Sequence, residues 1–493
     1  MEEKIIGKAH RILFFNTLAF MICFSAWMLN GTLVSFLVDN HVFDWSPVQI
    51  GWLLGLPVLT GSIFRLPFGM LTDRFGGRYI FSLLMLISAV PMFLLSFANS
   101  YFLFLLCSFG FGLTGASFAV GVAYTSVWYP AKWQGTALGI FGFGTTGAAL
   151  TTLITPSVLQ FLTDQGKNIE SWRTLPIIYA SILLLMSIIF YFFTENKKPE
   201  LSGKKFTQLL EPLSNVRVWR FGLYYFLVFG CFVAFSQWLV PYYLNVYYMS
   251  FVQAGMIASL FSFPAGIVRT LGGWLSDKYG PRKVLVSVFV ASTILGLLLV
   301  FPKMELYSPG KGIISKNNGV VTSITDKSIK VDDKDYPITS LKSNADLDEN
   351  DFIVFPKKIM WQEPAVKIGD KVKKNQLIAK GITKINFQAN VNIFVFFVLL
   401  IGISWGLGMG AVYKFIPMYF PNTVGVVGGT VGVLGGLGGF FGPILFGYLL
   451  EFTGLWTSSW IFIFILSLIC LIWIQIIISK INNQKLKQDK LLD

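Results

Sequence analysis

Two arginines stand where an apolar chain carries no other charge. Arg269 lies in an uncharged stretch that begins near Gly255 and runs to Asp277, and Arg65 stands eight residues before Asp73 in a matching stretch. Each aspartate opens a basic segment of the kind that marks a membrane surface, and eight helical residues rise about 12 Å. In a hydrocarbon core of about 30 Å, both arginines therefore come close to the midplane. A charge at that depth is costly, and its default meaning is a polar cavity on a substrate path. No Asp or Glu lies near the middle of any apolar segment: Asp39, Asp73, Asp277 and Glu451 all fall near segment ends. Without an internal counter-ion, the partner implied is a bound anion. A guanidinium fork donates two parallel hydrogen bonds, which suits a small planar oxyanion better than the point charge of a lysine.

The elements that position these residues occur twice. Arg65, Gly69, Asp73, Gly76 and Arg78 match Arg269, Gly273, Asp277, Gly280 and Arg282, each pair 204 residues apart (269 − 65). The spacing predicts two similar halves, each placing one arginine at the same depth. Apolar segments fall at about 12–37, 47–71, 79–98, 100–127, 135–162, 174–194, 220–245, 252–275, 284–302, 389–413, 424–450 and 456–479. These are twelve runs of the length a spanning helix needs. The expected fold is an all-α polytopic membrane protein of two pseudo-symmetric six-helix halves. Its parts are a first half over 1–194, a charged linker over 195–219, helices seven to nine over 220–302, helices ten to twelve over 389–480 and a tail over 481–493.

Composition agrees, with 54% hydrophobic and 13% charged residues. The net charge of +14 sits in short loops and in the tail, so membrane topology explains it and nucleic acid does not. Lys4, Lys8, Arg11, Arg74, Arg78, Lys132, the linker, Lys278, Arg282, Lys283 and the tail lysines all fall on one side of a twelve-span chain. Both termini are therefore expected in the cytoplasm. Cys23, Cys107, Cys231 and Cys470 lie singly in apolar segments, and His10 and His41 near segment ends. None has the spacing of a disulfide framework or a metal site, so no metal is expected.

Residues 303–388 break the pattern. They are polar and lysine-rich, with strand-like alternation in Gly319–Ile324 and Ser328–Val331 and turn signals at Asn318-Gly319 and Gly369-Asp370. Tyr129-Pro130 matches Phe420-Pro421 at an offset of 291 rather than 204, so 87 residues have entered between the matched points. A small all-β domain is expected there, inserted between helices nine and ten and outside the cytoplasm. Its segment Pro364–Gln376 looks like the barrel-sandwich fold of lipoyl-type domains, but no Met-Lys-Met attachment motif is present and no cofactor is expected. A structural or partner-binding appendage is the reading.

Other residues are less specific. Phe24, Trp27, Phe118, Tyr225 and Phe229 could wall an anion site, yet among 48 phenylalanines type alone singles out none. The glycine-rich segments Gly110–Gly115, Gly135–Gly147 and Gly425–Gly442 lack a P-loop lysine and read as close helix packing. Lys414 reads by default as a loop-edge cation.

The paired motif Gly69–Arg78 and Gly273–Lys283 resembles the signature of the major facilitator superfamily. Gly69, Asp73, Arg74, Gly76 and Arg78 in one copy, with Gly273, Asp277, Lys278, Gly280 and Arg282 in the other, then become candidate conformational residues. Within the superfamily the chain resembles the nitrate/nitrite porters. The carriers of that likeness are the two arginines, Gly115-Ala116-Ser117-Phe118, Trp128-Tyr129-Pro130, Gly135–Gly139 and Gly408–Lys414, with the glycine-rich eleventh segment. The resemblance implies that Arg65 and Arg269 clamp nitrate or nitrite, with Phe118 and Tyr225 in the pocket. It departs from the family at Thr145, where an asparagine is common; a hydroxyl stays and the amide is lost.

The expected function is a secondary transporter and not an enzyme, working as a monomer in the lipid bilayer of the bacterial cytoplasmic membrane. Exchange of nitrate for nitrite by alternating access is the leading mechanism. Proton symport, carriage of formate or oxalate, and a non-transporting anion receptor remain as alternatives.

Overall fold

The computed structural model describes residues 2–197, 214–300, 304–339, 357–374, 376–387, 391–420 and 424–489. Most of the expected linker, Pro421, Asn375 and the last residues of the tail lie outside them. Among the described residues, twelve helical segments are long and apolar enough to cross a membrane. Spans 1–6 are Gly7–Asp39, Pro47–Phe75, Gly77–Phe97, Tyr101–Trp128, Ala137–Leu162 and Ile169–Phe193. Spans 7–12 are Val216–Tyr247, Phe251–Tyr279, Pro281–Leu299, Val391–Ile416, Val427–Thr453 and Ser458–Ile481. The expected fold class is therefore present. Most helices run a few residues past their apolar runs, because polar ends such as Arg74 and Lys278 continue the backbone ladder beyond the hydrocarbon.

The 204-residue repeat extends into the helix ends. Span 2 opens with a capping box in which Ser46 accepts from the Gln49 amide and the Gln49 side chain accepts from the Ser46 amide; span 8 opens identically with Ser250 and Gln253. Both spans stop at a glycine with positive φ, Gly76 at 89° and Gly280 at 86°. Only glycine takes that turn without strain, so each arginine-bearing helix is bounded by the same start and stop signals.

The helices are not uniform at the depth of the arginines. Span 2 is interrupted at Phe64, directly before Arg65. Tight 3₁₀ turns cover Gly112–Ala116 in span 4 and Phe143–Thr146 in span 5, and a π turn covers Phe226–Gly230 in span 7. Irregular backbone at membrane depth is tolerated where it is buried in protein or lines a cavity. Four irregularities in four spans fall around the arginine pair, and π turns recur at functional sites.

The two halves meet most closely on the side of the arginines remote from the chain termini. A methyl placed on Gly51 would come 2.5 Å from the Pro443 carbonyl oxygen, on Gly55 2.6 Å from that of Phe440, and on Gly447 2.3 Å from that of Pro47. Gly255 of span 8 approaches the Thr152 carbonyl of span 5 as closely, at 2.3 Å. On the side of the termini the fit is looser: the same methyl on Gly69 would meet only Ala119 of its own half, at 3.9 Å, and on Gly273 nothing within 4 Å.

Leu299–Phe396 forms a second compact unit. Strands β1 (Met304–Ile314), β2 (Gly319–Ile324), β3 (Ser328–Val331), β4 (Lys334–Pro337), β5 (Lys357–Pro364), β6 (Lys371–Val372) and β7 (Leu377–Phe387) build two antiparallel sheets. Their orders are β1-β7-β5 and β4-β3-β2-β6. Val321, Ile329, Val331, Val372 and Ile378 form their common core. The alternation in β2 and β3 is what marks them as strands with one face inward.

Candidate anion site

Arg65 is 3% exposed and held from three directions. Its Nε donates to the Gly115 carbonyl at 3.4 Å and its Nη1 to the Gly432 carbonyl at 2.7 Å. Its guanidinium carbon lies 5.7, 5.3 and 5.3 Å from the ring centres of Trp27, Phe118 and Phe229. The glycines of span 11 make this possible: a methyl on Gly436 would stand 2.1 Å from Ser62 Oγ and 3.4 Å from Arg65 Nη1, and one on Gly435 would enter the Tyr225 ring. Close packing and a functional cradle are here the same feature.

Arg269 faces Arg65 from the other half. Its Nη2 donates to the Tyr225 hydroxyl at 3.3 Å, and its guanidinium carbon lies 5.4 Å from the centre of Phe118 and 6.0 Å from that of Tyr413. Tyr225 is fully buried, stacks on Phe229 at 4.8 Å and meets Tyr413 edge-on at 5.0 Å. Both guanidiniums thus share the Phe118 ring.

The electrostatic balance of the site is positive. Neither arginine has a carboxylate partner among the described residues. Arg65 Nη2 and Arg269 Nη1 are buried with no hydrogen-bond partner. Backbone carbonyls and ring faces offset part of the desolvation, at about 0.5–2 kcal/mol for each cation–ring contact. At an effective dielectric of about 20, like charges about 8 Å apart repel by about 2 kcal/mol, while a monoanion between them, about 4 Å from each, gains about 4 kcal/mol per contact. Attraction to an anion outweighs the repulsion it relieves, so the arrangement is one that an anion completes.

The structure brings Arg65, Arg269, Phe118, Tyr225 and Phe229 together. Phe24 lies one layer back, edge-on to Trp27 at 5.3 Å. Thr145 is buried, but its hydroxyl donates to the Gly142 carbonyl of its own turn at 2.9 Å, while a methyl on Gly266 of span 8 would come 3.2 Å from the same oxygen. Tyr413 was not distinguished by sequence reasoning, although it is a tyrosine in an apolar span directly before Lys414; its hydroxyl donates to the Gly428 carbonyl at 3.3 Å. Lys414 is no loop residue: it sits within the helix Val391–Tyr419 and forms an ion pair with Asp277. In the first half Arg78 donates to the Tyr191 carbonyl at 2.6 Å, and Glu195 accepts from Lys8 and Arg11, both at 3.1 Å. Those contacts tie the starts of spans 1 and 3 to the end of span 6.

The model of the Major Facilitator Superfamily matches residues 15–310. Over 481 residues the chain is 35% identical to the probable nitrate/nitrite antiporter NarK1 of Thermus thermophilus, covering 96% of this chain and 93% of that one. The chain belongs to the nitrate/nitrite porters of the major facilitator superfamily. A further relative is the nitrite extrusion protein of Bacillus subtilis, 29% identical over 64% of this chain and 78% of its own length. Among solved structures, a bacterial homologue of the human lysosomal transporter Spinster superposes with a TM-score of 0.62 at 14% identity, over 93% of this chain and 95% of that one. That likeness concerns the fold alone. The porter is a multi-pass membrane protein and a secondary transporter, not an enzyme.

Proposed function

We propose that this porter exchanges nitrate for nitrite across the bacterial cytoplasmic membrane, alternately opening one central site to either side. One observation carries the reading: two guanidiniums from opposite halves share the Phe118 ring, and each keeps a buried N–H terminus without a partner. A planar monoanion bridging Arg65 and Arg269 would satisfy both, with Phe118, Tyr225 and Phe229 as aromatic walls. Phe24 supports that wall from behind through Trp27. Thr145 acts on the site through the span 5 and span 8 contact rather than as a donor to the anion.

The mechanism follows from charge. Empty, the site holds two cations that resist being drawn together; loaded, it keeps a single net positive charge, and the anion between the cations screens their repulsion at the same separation. The halves therefore change state more readily with an anion bound, which favours one-for-one exchange. The close packing on the side remote from the termini and the looser fit at Gly69 and Gly273 support a state closed on one side only. The basic loops support cytoplasmic termini, with the insert on the opposite side.

The test is nitrate uptake into proteoliposomes preloaded with nitrite or with buffer, with and without a pH gradient, for wild type and Arg269→Lys. The expected result is uptake that requires internal nitrite, ignores the pH gradient and collapses in the variant. Uptake into buffer-loaded vesicles driven by the pH gradient would replace exchange with proton symport. Full competition by oxalate would replace nitrate with another anion, and absence of counterflow would leave a receptor.

A further inference from the structure

A second basic cluster lies away from the anion site, on the face of the second half where spans 7 and 9 begin and span 10 ends. Three arginines converge there on one tyrosine. Arg282 donates to the Tyr419 hydroxyl, and the Arg217 guanidinium carbon lies 5.2 Å from the centre of the Tyr419 ring. Arg220, Tyr224, Arg282 and Tyr419 line a narrow cleft whose outer wall is Ile477 and Ile478 of span 12. No carboxylate pairs with Arg217, Arg220 or Arg282 among the described residues. Tyr224 is 2% exposed, and its hydroxyl is buried in this cleft without a partner. The cluster is thus short of an acceptor as well as of negative charge.

The surroundings say where the acceptor comes from. Trp219, half exposed beside Arg220, is the residue type that settles at headgroup level, and the half-exposed Ile472 and Ile476, next to Ile477 and Ile478 on span 12, present the flank that acyl chains cover. In the first half, by contrast, Glu195 neutralises Lys8 and Arg11. The cleft has room for about 10 Å³, a single water, so a phosphate is met at its rim, where lipid headgroups lie. We propose that the Arg217, Arg220 and Arg282 cluster with Tyr224 is a binding site for the phosphate of an anionic phospholipid, whose acyl chain lies along Ile477 and Ile478. The guanidiniums donate to phosphate oxygens at the rim of the cleft, with Tyr224 behind them, and juxtamembrane arginines attract anionic lipid in this way.

The test uses the purified full-length porter in neutral detergent and reads its melting temperature with dioctanoyl phosphatidylglycerol, dioctanoyl phosphatidylcholine or inorganic phosphate. In the wild type the glycerol lipid is expected to raise the melting temperature saturably and by several degrees more than the choline lipid, with no gain from phosphate. In the double variant Arg220→Gln/Arg282→Gln that margin falls by at least half. If the double variant is not monodisperse, Arg217→Gln at the exposed rim is expected to show a smaller loss in the same direction. An unchanged margin in the variants, or equal effects of the two lipids, overturns the site. A gain from inorganic phosphate equal to that of the glycerol lipid overturns the lipid as its source.

Discussion

Arg65 and Arg269 approach one ring, their guanidinium carbons 5.3 and 5.4 Å from the centre of Phe118. Arg65 reaches this position while bonding carbonyls on two other spans, Gly115 and Gly432, which a planar fork can do from separate nitrogens. A lysine ammonium keeps the charge but gathers its donors at one point and cannot reach both carbonyls and an anion. Arg65→Lys and Arg269→Lys are each expected to lower nitrate uptake about 10- to 100-fold, the worth of one or two charge-assisted hydrogen bonds. Initial rates in proteoliposomes check this, with size-exclusion profiles showing that folding is kept.

Phe118 and Phe24 separate wall from support. Phe118→Leu removes a ring shared by two cations, at about 0.5–2 kcal/mol per contact, so the half-saturating nitrate concentration should rise about tenfold. Phe24→Leu, edge-on to Trp27 and one layer from the guanidiniums, should change it less than about threefold while lowering thermal stability, as a core substitution does. Equal KM shifts in the two variants would sink this assignment.

The two arginines and their 204-residue repeat were legible because charge in an apolar span is rare and each copy ends at the same glycine. Tyr413 was not, because it owes its role to helix rotation and to neighbours on other spans, which residue type does not encode. Phe226–Gly230 was equally silent: Phe-Leu-Val-Phe-Gly is ordinary apolar sequence, and its π turn lies where Tyr225 and Gly230 pack on the glycines of span 11. The ion pair of Lys414 with Asp277 escaped for the same reason, since it joins spans 8 and 10 across more than a hundred residues that include the insert.

That ion pair tests how much a surface contact in the motif matters to stability. Both side chains are well exposed, at 40% and 57%, so salt and water screen the attraction. A double-mutant cycle of Asp277→Asn and Lys414→Met, read by thermal unfolding, should give a coupling of about 0–1 kcal/mol that fades at high salt. A coupling several times larger would mean that the pair is shielded in the membrane.

The insert carries its own core, with Ile329, Val321 and Ile378 almost fully buried among the strands of two sheets. Residues 303–388 expressed alone are therefore expected to fold. Far-UV circular dichroism with a β minimum, a cooperative melt and dispersed amide resonances would check it. A random-coil spectrum would mean that this core does not suffice for a domain of under about 100 residues.

The packing of the halves predicts how to shift the porter between states. A methyl on Gly447 would lie 2.3 Å from the Pro47 carbonyl oxygen, and backbone atoms at that distance must move apart. Gly447→Val should therefore destabilise the closure remote from the termini and favour the opposite state. The four native thiols are all buried, so a cysteine placed at Phe440, which now meets Trp52 across the closure, gives a clean report. Its labelling by an impermeant maleimide should speed up several-fold in Gly447→Val, and nitrate exchange should fall, because a carrier held on one side completes no cycle. Gly273→Val, on the looser side where a methyl meets nothing within 4 Å, should leave this closure intact and hinder the other one. Labelling at position 440 should then slow while exchange again falls. If both substitutions move labelling in the same direction, the two glycines do not belong to opposite gates.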